Sequence, residues 1–179
     1  ALLVAAAAGW QWWQNKQQTH ALEASAAYAK LGQALAANNG KAARDLGAAL
    51  TKDYAESAFA PRAALLVAKL DMLENKPKDA QKQLEWVVAN ATEAGVRDLA
   101  RLRLAGVQLD TKQAAAALKT LEAPHSEEFA PRFADLKGDA LLAQGKTAEA
   151  NKAYEVALKG MKDDNPYRPM VEIKRDATR

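Results

Sequence analysis

A four-residue motif that occurs twice constrains the fold of this chain more than any other feature. Phe-Ala-Pro-Arg at positions 59–62 recurs 70 residues later at positions 129–132, and similar residues follow both copies at the same offset. Seventy residues is about two units of a helix-turn-helix repeat of about 34 residues. The motif therefore predicts stacked helix pairs, with a further unit between the two copies.

The repeat unit is clearest around the second copy. Gly138 and Ala150 are small enough to let two helices cross closely, and Leu141 and Tyr154 would fill the space beside them. The alanines that begin the second helices of successive pairs recur at positions 42, 80, 117 and 150. This spacing is that of a degenerate tetratricopeptide repeat with loops of variable length.

Composition favours helices along the whole chain. Hydrophobic residues make up 49% of the sequence, and many of them are alanine, the best helix former. No segment alternates convincingly between apolar and polar residues, as a half-buried strand would. We therefore predict an all-α fold, an α-solenoid of about four degenerate helix pairs. The first helix would run to about residue 37, and the later helices would cover 41–51, 59–74 with 77–92, 95–109 with 113–122, and 129–144 with 147–160.

The end of the chain has the pattern of a capping helix. Asn165 and Pro166 resemble an N-cap followed by proline at the first helical position. A solenoid needs a cap, since its last unit would otherwise expose an apolar face. We predict a capping helix and tail over residues 166–179, with Tyr167, Met170 and Ile173 covering the open end.

The first 15 residues differ from the rest of the chain. Residues 1–9 carry no charge, and Lys16 is the first charged residue. Tryptophan favours the headgroup region of a bilayer, and about 20 apolar residues are needed to span one. We therefore predict that residues 1–15 form the C-terminal end of a transmembrane helix, followed by a repeat domain over 16–165 whose first helix doubles as a stalk. The residues assigned to the membrane anchor are Leu2, Leu3, Val4, Trp10, Trp12 and Trp13. The tail of a signal peptide and a buried core helix are the alternative interpretations.

Two stretches carry a resemblance to a known family. Residues 101–109 with 116–121, and residues 134–142 followed by Gly145, are similar to the YfgM-like family, the ancillary subunits of the bacterial SecYEG translocon. The resemblance covers essentially the whole chain.

The resemblance implies a single-pass protein of the bacterial inner membrane with its repeat domain in the periplasm. It implies association with the SecYEG translocon and with a membrane-anchored periplasmic chaperone, and a role in handing on newly exported proteins. The family has no catalytic motif to carry over. The rival hypothesis is a scaffold of envelope or pilus assembly with a different partner.

Catalytic and cofactor chemistry finds no support in the residues. The chain has no cysteine, and His20 and His125 lie in different segments without a second ligand at metal spacing. The formal charge of +3 is spread along the chain, whereas nucleic-acid binding usually needs a clustered basic face. We expect no enzyme activity, cofactor, metal, nucleic acid or small-molecule substrate.

The repeat alignment suggests one binding surface. If the first helix of each pair lines the concave side, as in stacked helical repeats, then Arg62, Lys69, Arg132, Asp135 and Asp139 would point toward a protein partner. The alternative is that Asp135 and Asp139, one helical turn apart, belong to a solvated helix face.

A second group of arginines leaves two interpretations open. Arg97 and Arg101 lie one helical turn apart, with Arg103 nearby, and could pair with carboxylates of a partner or face solvent. Trp86 is expected to pack between helices, and Ser126 to cap the helix that follows it.

Overall fold

The computed structural model describes the backbone of residues 2–179 and the side chains of residues 10–14 and 16–179. Helices follow one another along this part of the chain, which confirms the predicted all-α class. The elements are α1 (Leu2–Ala36), α2 (Gly40–Asp53), α3 (Phe59–Leu73), α4 (Pro77–Asn90), α5 (Ala94–Asp110), α6 (Ala114–Leu121), a 3₁₀ turn (Glu127–Phe129), α7 (Ala130–Leu142), α8 (Thr147–Gly160) and α9 (Arg168–Asp176).

The same turn ends the first helix of each predicted pair. Asn38, Asn75, Lys112 and Gly145 adopt left-handed backbone conformations, with φ between 53° and 76°. The amide of each following residue donates to the carbonyl five positions earlier, over 2.7–3.0 Å. This is the Schellman arrangement, which satisfies the last carbonyls of a helix and reverses the chain. Its recurrence at 38, 75, 112 and 145 confirms the periodicity that the sequence predicted.

The chain divides into two compact units, Ala1–Leu70 and Asp71–Arg179. In the first unit the core joins α1, α2 and the beginning of α3 through Leu31, Leu50 and Val67, all of which are buried. Gly47 lies directly against Val67, where a Cβ would overlap the valine side chain. Small residues thus bring the helices of this unit close together, as interdigitating side chains require.

In the second unit two apolar clusters hold the helices. Ala105, Ala117 and Leu121 pack with Phe133, and Leu141, Ala150 and Ala157 pack around Tyr154. Gly138 lies against the Tyr154 ring, so a Cβ there would overlap the ring atoms. The predicted crossing of α7 and α8, with small residues at 138 and 150 and large ones at 141 and 154, is confirmed.

The face that α9 presents to the core differs from the prediction. Val171 is fully buried, whereas Tyr167, Met170 and Ile173 are 49%, 55% and 70% exposed. The prediction that these three side chains cover the end of the stack was therefore wrong. Residues 171 and 174 share one helix face, and the ion pairs of Lys174 described below turn that face inward.

The predicted membrane anchor lies on α1. This helix continues through residue 15 to Ala36, so Trp10, Trp12 and Trp13 are on the same helix as the first core residues of the repeat domain. The three indole rings are 61%, 66% and 48% exposed. Leu2, Leu3 and Val4 lie outside the residues whose side chains the structure describes.

Within the described residues, no helix combines the length and the apolar character that crossing a bilayer requires.

Two glycines provide a matched test of the packing. Gly138→Ala should lower the free energy of unfolding by about 1–3 kcal/mol, because a methyl group there overfills a tight core. Gly106→Ala should raise it by about 0.5–1 kcal/mol, because nothing lies within 4 Å of the added Cβ and glycine is a poor interior helix residue. Urea unfolding of both variants measures the difference, and equal changes would contradict the proposed crossing.

Candidate protein-binding groove

A surface groove runs between α5 and α7, the first helices of two consecutive pairs. Its volume is about 490 Å³, within the range of about 300–1,000 Å³ that is typical of ligand sites. The lining residues are Leu99, Leu102, Arg103, Gly106, Phe129, Arg132, Leu136, Asn165 and Tyr167.

Helical spacing places these side chains on one surface. Leu99, Leu102 and Gly106 follow one another on α5 at intervals of three and four residues, and Arg132 and Leu136 are four apart on α7. Residues at these intervals share one face of a helix. The inner faces of α5 and α7 therefore form the two long sides of the groove.

Arg132 lies where the groove meets the C-terminal segment. Its Nη1 donates to Oδ2 of Asp135 at 2.8 Å, and its guanidinium carbon lies 4.5 Å from the centre of the Tyr167 ring. A guanidinium over an aromatic face is a favourable cation–π contact. Arg132 thus joins α7 to the segment before α9, and Tyr167 becomes part of the groove wall.

Lys174 holds α9 against α7. Its ammonium donates to Asp135 at 2.9 Å and to Asp139 at 2.7 Å. Burial alone would lower the pKa of Lys174, but the hydrogen bonds that its ammonium donates to Asp139 and Asp135 outweigh burial and raise that pKa. The lysine therefore stays charged near neutral pH, where it forms an ion pair with each of the two aspartates.

The hydroxyl of Tyr154 completes this network by donating to Asp139 at 2.9 Å. Burial and the neighbouring Asp139 carboxylate raise the pKa of Tyr154, so the phenol keeps its proton near neutral pH. The α7–α8 crossing and the α9 contact thus share Asp139.

A second buried carboxylate helps to position another residue of the groove lining. Asp98 on α5 is 2% exposed, and it accepts hydrogen bonds from the Ser126 amide at 2.9 Å and the Ser126 hydroxyl at 2.6 Å. Arg101 donates to Asp98 at 3.2 Å and to the Pro124 carbonyl at 2.7 Å. These bonds fix the loop that leads into Phe129, one of the lining residues.

The five residues predicted to bind a partner have different surroundings. Arg132 lines the groove. Asp135 is 1% exposed and Asp139 contacts Tyr154 and Lys174, so both carboxylates serve to join helices. In the first unit, Arg62 donates to the Ala58 carbonyl at 2.6 Å and Lys69 is exposed. Partner binding by these five residues stays a prediction.

Other interpretations drawn from the sequence need correction. Arg101 is neither solvated nor offered to a partner, because its bonds hold the loop before α7, and Arg97 donates to the Ala91 carbonyl at 3.0 Å. Ser126 does not cap the following turn with its side chain, since the hydroxyl bonds to Asp98. His125 is exposed, as expected, and stacks on Phe133 at 4.0 Å.

Sequence reasoning missed most of the groove. The spacing of Leu99, Leu102 and Gly106 could have indicated an apolar face on α5. Nothing in the sequence connects Asn165 or Tyr167 with that face, since they come from a later element. Among the residues that the structure describes, no cluster of acidic or histidine side chains could hold a metal ion.

The fold and the groove define a class: helical-repeat proteins of the tetratricopeptide kind. A family described as tetratricopeptide repeat-like domain matches residues 1–179. A relative from Neisseria gonorrhoeae is 33% identical over 183 residues, covering 99% of this chain and 87% of the relative. One from Escherichia coli is 35% identical over 158 residues, covering 87% and 75%. Both are named ancillary SecYEG translocon subunit.

The chain therefore belongs to the YfgM-like family of ancillary SecYEG translocon subunits. No solved structure matches it significantly.

The Asp98 cluster predicts a pH dependence of stability. Burial alone would raise the pKa of Asp98, but the bonds from Ser126 and the charge of Arg101 lower it below the ordinary 3.8. A carboxylate with a lowered pKa in the folded state stabilises the fold fully above pH 3.8, and this contribution is lost as the pH falls through the lower, folded-state value.

Asp98→Asn should therefore lower the free energy of unfolding at pH 7 by about 1.5–3 kcal/mol, the usual worth of hydrogen bonds to a charged group. The difference in the free energy of unfolding between wild type and variant should become smaller toward pH 2. Urea unfolding at both pH values measures it. Asp110→Asn, at an exposed position of the same helix, is the control, and a gap for Asp98→Asn that does not change with pH would refute the assignment.

Proposed function

We propose that this chain is a membrane-anchored interaction module of the Sec translocon, with its repeat domain in the periplasm. It would assist newly exported proteins together with a membrane-anchored periplasmic chaperone. The observation that carries the proposal is the near full-length similarity to relatives named ancillary SecYEG translocon subunit. A groove on the first helices of two repeat pairs supports a protein-binding role.

The beginning of α1 supports the membrane part of the proposal. Trp10, Trp12 and Trp13 are exposed within one helical turn, and Lys16 places its ammonium 5.4 Å from the Trp12 ring centre. Exposed indoles beside a cation suit the headgroup region of a bilayer. In water the same rings would be an unfavourable apolar surface.

The buried charges support binding rather than catalysis. Asp98 and Asp135 both bond across helix or loop boundaries, and both are satisfied by neighbouring cations or hydroxyls. A catalytic carboxylate would instead face an open cleft that a substrate can enter. We therefore assign these groups to holding the groove in shape.

Association with the translocon can be tested by crosslinking. Cells producing the tagged protein are treated with a membrane-permeant crosslinker, extracted in mild detergent and analysed by mass spectrometry. We expect SecYEG subunits and an envelope chaperone to be enriched over an unrelated tagged inner-membrane protein. Recovery of pilus or envelope-assembly proteins without any translocon subunit would favour the rival scaffold hypothesis.

The absence of cysteine makes the location of the repeat domain directly testable. Lys119→Cys introduces a thiol at an exposed position of α6. A membrane-impermeant maleimide should label it in cells whose outer membrane alone is permeabilised. Ala117→Cys, at a fully buried position two residues away, should react only after denaturation. Labelling of position 119 only after the inner membrane is broken would contradict the periplasmic placement.

A further inference from the structure

We propose that the groove between α5 and α7 binds a short extended peptide segment that carries carboxylates beside apolar side chains. This inference deepens the proposed function, on which it rests for the protein-binding role. It names the chemistry of the partner, which neither the fold nor the relatives' names specify.

The charged residues that line the groove are all positive. Arg103 and Arg132 line the groove, and no acidic residue does. Arg103 is exposed and makes no ion pair or hydrogen bond within the described part of the chain. Arg132 pairs with Asp135 through Nη1, and its side chain remains 36% exposed. A guanidinium that is held in place but still accessible is suited to bidentate recognition of a carboxylate.

The groove also has an apolar surface made by leucine side chains. Leu99, Leu102 and Leu136 lie along the two long sides of the groove and are only partly buried, and Phe129 adds an aromatic ring to the lining. Burying these partly exposed leucines under the apolar side chains of a partner would stabilise the complex. A purely acidic ligand would leave this surface in water.

Gly106 leaves open space on the α5 side of the groove. It lies inside α5, where glycine costs about 0.5–1 kcal/mol relative to alanine. Gly47 and Gly138 are explained by close packing, but nothing lies within 4 Å of a Cβ at Gly106. The missing side chain therefore leaves room in the groove itself. Glycine at such a position allows a ligand backbone to come close to the helix.

The dimensions favour a peptide. From Leu99 to Gly106 the helix rises about 10 Å, which matches about three residues of extended chain at roughly 3.3 Å each. Two arginines are too few for the clustered basic face that nucleic acids require. A side-chain carboxylate flanked by leucine-like residues would meet both the guanidinium groups and the apolar walls.

The test uses the purified chain and a fluorescein-labelled, C-terminally amidated peptide, Ser-Glu-Leu-Glu-Leu-Glu-Leu-Ser, in fluorescence anisotropy. Two matched peptides replace every glutamate by lysine or every leucine by serine. We expect the parent peptide to bind at least about tenfold more tightly than either matched peptide, a difference of about 1.4 kcal/mol. Its affinity should also weaken as salt is added, because exposed charges are screened.

Two variants test the groove itself. Arg103→Glu reverses the accessible charge, and Gly106→Phe fills the open space; each should weaken binding at least about tenfold. Lys137→Glu makes the same charge change as Arg103→Glu at an exposed position of α7 outside the groove, and it should leave the affinity unchanged. Circular dichroism and urea midpoints confirm that each variant is folded, and Arg103→Glu decides the matter if Gly106→Phe does not fold.

Several results would overturn the inference. One is that the lysine peptide binds as tightly as the parent peptide, and another is that no peptide binds. The others are that Arg103→Glu binds the parent peptide with wild-type affinity, or that Lys137→Glu weakens binding as much as Arg103→Glu does. Binding of phosphatidylglycerol vesicles that depends on the same variants, without peptide binding, would assign the groove to lipid. Co-purification of the translocon by a chain that binds no peptide would remove this inference and leave the proposed function standing.

Discussion

The contact between Gly138 and Tyr154 is the constraint on which the second unit depends. With no Cβ at 138, α7 approaches α8 closely enough for the tyrosine ring to be fully buried between them. The buried ring directs its hydroxyl to Asp139, which also holds Lys174 of α9. A packing contact between two helices thereby positions a third one, because buried polar groups must find partners.

The same network extends to the groove. Asp135 accepts from both Lys174 and Arg132, and Arg132 lies over Tyr167 in the groove wall. On α5, Asp98 fixes the loop that presents Phe129. The charged side chains around the groove therefore divide into two groups. Those that are buried hold its walls in place, and the exposed Arg103 and the accessible part of Arg132 line its open space.

This arrangement suits a protein that binds partners for a translocon. The groove is open, joins leucine side chains with guanidinium groups, and belongs to a scaffold whose helices are held by paired charges. A preformed groove needs little ordering when a flexible segment binds, which reduces the entropic cost of association.

The sequence predicted the helices, their pairing and the α7–α8 crossing, because small residues, turn residues and repeat spacing act over a few helical turns. It also marked Arg132 as a binding candidate. The sequence did not predict that Asp98 and Asp135 are buried, that α9 turns Val171 inward, or that Tyr167 borders the groove; these follow from how the helices pack. Besides an arginine three positions away, each of these carboxylates has a distant partner: Ser126 lies 28 positions from Asp98, and Lys174 lies 39 positions from Asp135. A pattern within one helix cannot show which distant charge will meet it, and that meeting decides whether a carboxylate faces solvent or the core.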